Sequence, residues 1–260
     1  MSVTQALVLG IIQGLTEFLP ISSSGHLVLL EEFWKIPLSA KELQGFDVIL
    51  HTGTLGALLL CYWKTWLKLL QSFIKPGNAY RALLLALIVA TIPAIFAGVL
   101  VQDLIADTFR TPQLIGWAFI ATALVLILGE RFPEKHRALE LPRMRALWIG
   151  CAQVLALIPG ISRSGFTISA GRAAGLSRRE ALDFSFLMAT PVIAGATMLT
   201  VVKSVNRSMI PLPFGTISIG FFSSFFVSML AIVFLRKWVA TQSLAWFAIY
   251  LVPVGILLVL

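Results

Sequence analysis

The sequence predicts an all-α integral membrane protein, with six transmembrane helices and two re-entrant helical segments arranged as an inverted repeat. Three observations lead to this prediction. Of the 260 residues, 58% are hydrophobic and only 12% are charged, which is too apolar for a soluble domain of this length. Long uncharged runs alternate with charged segments, and two similar polar turns lie 140 positions apart. We therefore expect a single membrane domain over residues 1–260.

The predicted transmembrane helices are the long uncharged runs. A helix needs about 20 mostly apolar residues to cross a hydrocarbon core of about 30 Å. Six runs reach or approach this length, namely 48–63, 82–102, 111–129, 184–202, 208–235 and 239–260. Two shorter apolar runs, 1–16 and 146–162, end at the polar turns. These two runs are the predicted re-entrant segments.

The Lys and Arg residues indicate how the chain lies in the membrane. Cytoplasmic loops of membrane proteins are enriched in these two residue types. One set of loops, 63–81, 130–183 and 236–238, contains 15 of the 20 Lys and Arg residues. We expect this set in the cytoplasm and both termini outside it. Orientation thus accounts for the net charge of +8, and we expect no nucleic acid partner.

The two halves of the chain share a sequence pattern. A shift of 140 positions aligns seven identities, in which Gly10, Gln13, Leu15, Ile21, Ser22, Ser24 and Gly25 fall on Gly150, Gln153, Leu155, Ile161, Ser162, Ser164 and Gly165. We predict repeat halves of about 1–130 and 131–260, each with one broken segment followed by three spans. Three spans place the broken segments on opposite faces, so that the polar turns meet near the midplane. The alternative is two unrelated kinked helices.

Glu17 is the carboxylate that precedes the first polar turn. It follows Gln13 by four residues, so the two side chains share one face of a helix. A carboxylate at membrane depth is costly and usually faces the protein interior or a wet cavity. Glu17 can bind Mg²⁺ or Ca²⁺ with Gln13 as a second oxygen ligand, or it can act as a general base. The alternative is a structural ion pair or a glutamate at the membrane interface.

The first polar turn contains the serines Ser22, Ser23 and Ser24, followed by Gly25 and His26. Hydrogen-bond donors suit a phosphoryl group, because its transfer depends mostly on positioning and charge stabilisation. His26 can attack phosphorus itself or serve Ser23 as a base. The alternative is a buried histidine with a purely structural hydrogen bond.

The second polar turn is built around Arg163. A Pro-Gly pair at 159–160 breaks the preceding helix, and the turn then contains Ser162, Ser164, Gly165 and Thr167. The planar guanidinium of arginine suits phosphate, and the free N–H groups of a helix N-terminus favour anions. The alternative is an arginine that extends to the membrane interface. We expect the two turns to form one anion site.

Other charged residues give weaker signals. Asp47 and His51, one helical turn apart, are a candidate metal pair, but Asp is common near helix starts and we favour a structural role. Asp183, close to Arg178 and Arg179, indicates an ion pair at a helix end. The sequence has no G-x-x-x-x-G-K-[ST] loop, so ATP-driven chemistry is not indicated.

The two polar turns also carry a family resemblance. The first motif is [E/Q]-x-x-x-E, here "QGLTE" at 13–17, followed by "FLPISSSGH". The second is P-G-x-S-R-S-x-x-T, here "PGISRSGFT" at 159–167. In these motifs, and over essentially its whole length, the chain resembles the undecaprenyl pyrophosphate phosphatase family of bacterial inner membranes, the bacitracin-resistance type.

This resemblance implies a hydrolase that removes the terminal phosphate of undecaprenyl diphosphate and so recycles the lipid carrier for cell-wall synthesis. It also implies inverted repeats, a divalent cation (Mg²⁺ or Ca²⁺) and a site at the outer face of the inner membrane. The implied catalytic residues are Glu17, Ser23, His26 and Arg163, with either Ser23 or His26 as the nucleophile. The family pattern allows Glu or Gln at the position of Gln13, and with one carboxylate fewer we expect weaker metal binding.

The expected ligand is a polyprenyl diphosphate lipid. The expected binding residues are Gln13, Ser22, Ser24, Gly25, Ser162, Ser164, Gly165 and Thr167, with Glu17 and Gln13 also on the metal. A second copy of the chain, as a homodimer, is a candidate partner. The alternative function is a transporter or flippase for the phosphorylated lipid, because inverted repeats around a midplane anion site suit transport equally well. The phosphatidic-acid-phosphatase type 2 superfamily is excluded, because it needs a histidine after the arginine and none follows Arg163.

Overall fold

All regular structure in the described part of the chain is helical. The computed structural model describes residues 1–74, 78–108, 111–205 and 212–260. Its α-helices are α1 Val3–Thr16, α2 Ser23–Phe33, α3 Ala40–Cys61, α4 Trp63–Ile74, α5 Ala79–Thr108, α6 Pro112–Gly129, α7 Arg143–Val154, α8 Arg163–Ala173, α9 Arg178–Val205, α10 Phe214–Trp238 and α11 Ala248–Val259. Three short 3-10 helices, Ala138–Glu140, Leu155–Leu157 and Leu244–Phe247, lie between them. The all-α prediction is confirmed.

Five described helices are long and apolar enough to cross a membrane. They are Ala40–Cys61, Ala79–Leu100, Pro112–Gly129, Arg178–Leu199 and Phe214–Trp238. The predicted run 239–260 differs, because its first five residues, 239–243, form a turn and its apolar helix extends only over Leu244–Val259. The predicted run 208–235 begins outside the described residues, and its helix begins at Phe214. The chain is thus an all-α membrane protein with at least five spans of sufficient length.

Each predicted broken segment consists of two short helices joined by a polar turn. In the first, α1 ends at Thr16 and α2 begins after Ser22, whose φ is +73°. In the second, α7 continues into a 3-10 helix, and α8 begins after Ser162. Gly160 has a φ of +91°, a conformation that L side chains rarely adopt, so glycine is needed at this turn. The backbone therefore turns before α2 and again before α8, but the positive φ angles, at Ser22 and Gly160, are not 140 positions apart.

Small residues allow close helix packing around these segments. Helix α1 packs against α10, where a Cβ added to Gly14 would lie 2.7 Å from the carbonyl oxygen of Ser224. Helix α6 packs against α11, where a Cβ on Gly116 would lie 2.7 Å from the carbonyl oxygen of Gly255. Membrane helices associate through close packing of this kind, because lipid supplies no hydrophobic driving force.

Buried phenylalanines pack against the first polar turn. Phe18 follows the end of α1, and its ring meets the ring of Phe186 edge to face, with centroids 5.1 Å apart. Phe119, from α6, is fully buried, and its Cε1 atom would lie 2.6 Å from a Cβ added to Gly25. The start of α2 therefore packs tightly on an aromatic wall, which limits how far the first turn can move.

Candidate active site

The two polar turns lie side by side. A Cβ added to Gly25 in the first turn would lie 3.1 Å from the Cα atom of Gly160 in the second. The Ser164 hydroxyl donates a hydrogen bond to the carbonyl oxygen of Leu19, at 3.1 Å. The N-termini of α2 and α8, which are far apart in sequence, thus contribute to one polar region inside an apolar bundle.

The centre of this region is the carboxylate of Glu17, whose side chain is only 7% exposed. Its Oε1 atom lies 2.8 Å from Nη2 of Arg163, which belongs to the other half of the chain. Its Oε2 atom accepts hydrogen bonds from the Ser23 hydroxyl at 2.6 Å and from the Gln13 side-chain amide at 3.1 Å. Burial of the charge is therefore offset by one cation and two neutral donors. Four of the predicted site residues meet here.

The remaining predicted serines and glycines form the frame of the two turns. Ser22 and Ser162 cap α2 and α8, because their hydroxyls accept hydrogen bonds from the N–H groups of Gly25 and Gly165 at 3.3 and 3.1 Å. The serine two positions after each cap lies close to it, with oxygen–oxygen distances of 3.4 Å between Ser22 and Ser24 and 3.2 Å between Ser162 and Ser164. The two turns thus share this serine cap, although the backbone of the capping serine differs, with a φ of +73° at Ser22 and of −78° at Ser162.

Thr167 lies behind the second turn rather than at its open edge. It is fully buried, and its hydroxyl donates a hydrogen bond to the carbonyl oxygen of Arg163 at 2.8 Å. The same hydroxyl lies 2.6 Å from the hydroxyl of Ser185 on α9. In this structure Thr167 therefore fixes the backbone that carries Arg163.

His26 is held by groups other than Glu17. Its Nδ1 atom lies 2.6 Å from the carbonyl oxygen of Ser22, and its Nε2 atom lies 2.7 Å from the hydroxyl oxygen of Tyr250 on α11. The ring also stacks on Phe119, with centroids 5.1 Å apart. No hydrogen bond in the described chain joins His26 to Glu17 or Ser23. Both ring nitrogens are engaged elsewhere.

His51 also contacts the Glu17 carboxylate, although its spacing from Asp47 favoured a structural role. Its Nε2 atom lies 3.5 Å from Oε2 of Glu17, so the imidazole forms another side of the carboxylate pocket. Its Nδ1 atom lies 2.7 Å from the backbone carbonyl oxygen of Asp47, one turn earlier on α3. The spacing of Asp47 and His51 therefore orients the imidazole through the backbone, and the side chain that His51 faces is that of Glu17.

Asp183 forms an ion pair, but its partner differs from the expected neighbours in sequence. Its carboxylate lies 3.1 Å from Nε of Arg236 and accepts a hydrogen bond from the hydroxyl of Tyr62. Arg178 instead pairs with Glu130, at 2.7 Å. These contacts join helix ends rather than the polar turns, so we assign them to the fold.

The oxygen atoms around Glu17 fit a divalent cation only in part. The described residues include no group of three or more His, Cys, Asp or Glu side chains placed to hold a metal ion. However, the Oε1 atom of Gln13 is buried without a hydrogen-bond partner, and it lies on the side chain whose Nε2 contacts Glu17. One carboxylate and one free amide oxygen suit Mg²⁺, which usually takes one or two carboxylates together with substrate phosphates and water.

One hydrogen-bond donor of the site also lacks a partner in the described part of the chain. The Nη1 atom of Arg163 is buried without a hydrogen-bond partner, although Nη2 of the same guanidinium binds Glu17. A buried unpaired N–H group of a charged side chain is costly unless a ligand satisfies it. The geometry therefore provides a carboxylate, an activated hydroxyl and a free guanidinium N–H in one place, which suits chemistry on a phosphorylated group.

Comparison with known proteins gives a match over almost the whole chain. A family model described as "Bacitracin resistance protein BacA" matches residues 6–257. The undecaprenyl-diphosphatase of Desulforudis audaxviator is 42% identical over 254 residues, which cover 97% of this chain and 95% of the relative. That of Pelotomaculum thermopropionicum is 41% identical over 258 residues, covering 98% and 95%. That of Corynebacterium efficiens is 40% identical over 270 residues, covering 100% and 90%.

Proposed function

The chain belongs to the bacitracin resistance protein BacA family, and on that basis we propose that it is an undecaprenyl-diphosphatase of the cell membrane. The enzyme hydrolyses undecaprenyl diphosphate to undecaprenyl phosphate and phosphate, which returns the lipid carrier to cell-wall synthesis. The observation that carries this proposal is the buried Glu17 carboxylate, bound by Ser23 on one oxygen and by Arg163 on the other. A base, a nucleophile and an anion-binding cation are the parts that phosphate transfer needs.

Ser23 is the nucleophile in this proposal. Its hydroxyl donates to Glu17 at 2.6 Å, so the proton acceptor is already in place. His26 is less suited to attack, because both of its ring nitrogens are engaged, by Ser22 and by Tyr250. In the first step, the Ser23 oxygen bonds to the terminal phosphorus while its proton passes to Glu17. The bond to the lipid phosphate breaks, and undecaprenyl phosphate leaves.

His26 acts in the second step. It lies three residues after Ser23 on α2, on the same face of the helix. A water molecule attacks the phosphorus of the phosphoserine and gives its proton to His26 Nε2. The bond from phosphorus to the serine oxygen breaks, phosphate leaves, and the serine oxygen takes back its proton from Glu17. Each cycle consumes one water and restores Ser23, Glu17 and His26 once His26 releases its proton to solvent.

Arg163 binds the diphosphate in the first step and the phosphoryl group on Ser23 in the second. Its free Nη1 group, the N–H groups at the start of α8 and those at the start of α2 supply donors to phosphate oxygens. Ser22, Ser24, Gly25, Ser162, Ser164 and Gly165 keep these N–H groups in position. Thr167 contributes by fixing the carbonyl of Arg163.

A divalent cation, Mg²⁺ or Ca²⁺, belongs to the proposal as well. Glu17 and the free Oε1 atom of Gln13 would hold it. When bound, such an ion neutralises charge on phosphate oxygens as a Lewis acid.

We also propose that the chain forms an inverted repeat with six spans and two re-entrant segments. In support, α8 occupies the positions of α2 shifted by 140 residues, from 23–33 to 163–173. The packing agrees with the same shift. Helix α1 contacts α10, and α7, which corresponds to α1, contacts α5, which corresponds to α10. The short apolar helix Leu244–Val259 is the sixth span.

The proposed location is the bacterial inner membrane, with the termini and the active site on the outer side. The distribution of Lys and Arg residues supports this orientation, since the loops opposite the termini contain 15 of the 20. The homodimer stays a prediction.

Phosphate release from undecaprenyl diphosphate by the purified protein in detergent tests the activity. We expect release with Mg²⁺ or Ca²⁺, a loss with excess chelator, and a loss in Glu17→Gln. Mass spectrometry of enzyme quenched during turnover should find phosphate on Ser23. Phosphate on His26 would overturn the assignment of the nucleophile. Movement of intact lipid between vesicle leaflets without phosphate release would favour a flippase.

A further inference from the structure

Both ring nitrogens of His26 have short contacts, and these fix its protonation pattern. The Nδ1 atom lies 2.6 Å from the carbonyl oxygen of Ser22, which can only accept a hydrogen bond. Nδ1 therefore carries the proton of the neutral ring. Nε2, 2.7 Å from the hydroxyl oxygen of Tyr250, is then the acceptor, and the tyrosine hydroxyl is the donor.

Two aromatic rings also fix the orientation of the imidazole. The ring of Phe119 stacks on it with a centroid distance of 5.1 Å and an interplanar angle of 25°. The ring of Tyr250 lies nearly parallel to it, at 5.7 Å and 16°. The close contact of Gly116 with Gly255 holds α6 and α11, which carry these two rings, against each other. A rotation of the imidazole out of its plane would therefore disrupt its stacking on both rings.

Tyr250 has a second, simpler explanation as an anchor at the membrane interface. It is 43% exposed, and tyrosines often lie where apolar and aqueous surroundings meet. An anchor, however, directs its hydroxyl towards water or lipid head groups. The Tyr250 hydroxyl is instead directed at the one ring nitrogen of His26 that is free to accept a proton.

We propose that Tyr250 is a positioning residue for the hydrolysis reaction. Its hydroxyl donates to Nε2 of His26, keeps the ring in the Nδ1–H form, and leaves Nε2 as the basic nitrogen. This inference rests on the proposed function, in which Nε2 accepts the proton of the attacking water. When that water enters, it takes the place of the tyrosine hydroxyl at Nε2. Tyr250 itself forms and breaks no covalent bond.

The test compares Tyr250→Phe with wild type and with Tyr80→Phe. The first variant removes only the hydroxyl and keeps the stacked ring. The control removes a hydroxyl at a distant surface site, where Tyr80 contacts Lys68. We expect kcat for phosphate release to fall about 5- to 10-fold in Tyr250→Phe, the size of one net hydrogen bond, with KM within about twofold of wild type. Tyr80→Phe should match wild type in both constants.

A second readout reports on the contact without relying on activity. The chain has three histidines, so ¹⁵N-histidine labelling gives few signals, and His26→Gln identifies those of His26. We expect the Nε2 signal of His26 to shift in Tyr250→Phe and to stay in place in Tyr80→Phe. Thermal unfolding of each variant shows whether the fold is intact.

Unchanged His26 signals in Tyr250→Phe overturn the proposed contact, whatever the activity. A shifted signal with wild-type kcat overturns the positioning role. If wild-type protein releases no phosphate at all, the hydrolase proposal fails, and the positioning role fails with it. That result is distinguishable from the others, because the wild-type rate is measured first.

Discussion

The Nη2 atom of Arg163 lies 2.8 Å from Oε1 of Glu17, and this ion pair joins the two halves of the chain across 146 residues. Glu17 comes from one polar turn and Arg163 from the other, so neither turn alone contains the pair. The pair therefore requires both broken segments to be folded and in register. It also sets the charge balance of the site, since the carboxylate is otherwise surrounded by neutral donors and His51.

Arg163→Ala should reduce both activity and stability. Loss of a charged donor to the phosphate should lower kcat about 10²- to 10³-fold. The buried Glu17 is then unpaired, which should cost about 3–5 kcal/mol of folding free energy. Arg163→Ala combined with Glu17→Gln should regain stability but not activity. Thermal unfolding measures the change in stability, and phosphate release measures the change in activity. An Arg163→Ala variant as stable as wild type would contradict the pairing.

Ser23→Ala should abolish turnover, because it removes the nucleophile that donates to Glu17 at 2.6 Å. His26→Gln should behave differently, because it slows only the attack of water and lets phosphoserine accumulate. Rapid quenching followed by mass spectrometry measures the phosphorylated fraction of each variant. Ser218→Ala, on α10, is the matched control and should keep wild-type turnover. Substantial turnover by Ser23→Ala would point to a different nucleophile.

His51→Gln should lower turnover less than Glu17→Gln does. The imidazole lies 3.5 Å from the carboxylate and interacts with it without carrying out the bond changes itself. We expect a decrease of about tenfold, the scale of one hydrogen bond to a charged group. His136→Gln, in a charged loop, should have no effect. A loss as large as that in Glu17→Gln would show that His51 takes part in the bond changes directly.

Residues close together in sequence were the most predictable part of the site. The four-residue spacing of Gln13 and Glu17 predicted a shared helix face, and their side chains are hydrogen-bonded. The repeated serine turns likewise predicted two similar helix starts. The pairing of His51 with Glu17 had no local signal, because 34 positions of sequence separate them. The spacing of His51 from Asp47 reflected a helix-backbone contact instead.

Contacts with distant helices were beyond the reach of sequence patterns. Tyr250 contacts His26 although 224 positions of sequence separate them, and the sequence around Tyr250 shows only an apolar helix. The expected ion pair of Asp183 with its sequence neighbours was wrong, because α10 brings Arg236 to it. The run 239–260 was predicted as a full span from hydropathy alone, which does not show that its first five residues, 239–243, form a turn. Each of these three features depends on tertiary packing.

Gln13→Glu should strengthen divalent metal binding. The substitution replaces a free amide oxygen with a second carboxylate beside Glu17, and hard cations bind more tightly as ligand charge increases. We expect the Mg²⁺ concentration for half-maximal activity to fall several-fold. Calorimetry with Mg²⁺ and no substrate provides a readout independent of turnover. Gln5→Glu, at the start of α1, is the control, and equal metal dependence of both variants would contradict a metal role for position 13.

Glu130 should contribute stability that depends on pH. Its carboxylate follows α6 and accepts hydrogen bonds from Arg178 at 2.7 Å and from the Leu244 N–H at 2.8 Å, so it joins three parts of the fold. Burial alone would raise the pKa of Glu130, but these donors outweigh it and hold the pKa below its ordinary value of 4.5. The folded state therefore favours the ionised form more than the unfolded state does.

The sign of the pH effect follows from this lowered pKa. The stabilisation by Glu130 is fully present at pH values above its ordinary pKa. It is lost as the pH falls through the pKa that Glu130 has in the folded state. Glu130→Gln should therefore unfold at a lower temperature than wild type at pH 7, and the difference should shrink as the pH falls below about 4.5. Glu32→Gln, an exposed position on α2, controls for the general loss of a carboxylate. A difference that widens on acidification would contradict the assignment, because it would mean that the protonated carboxyl is the form that the fold stabilises.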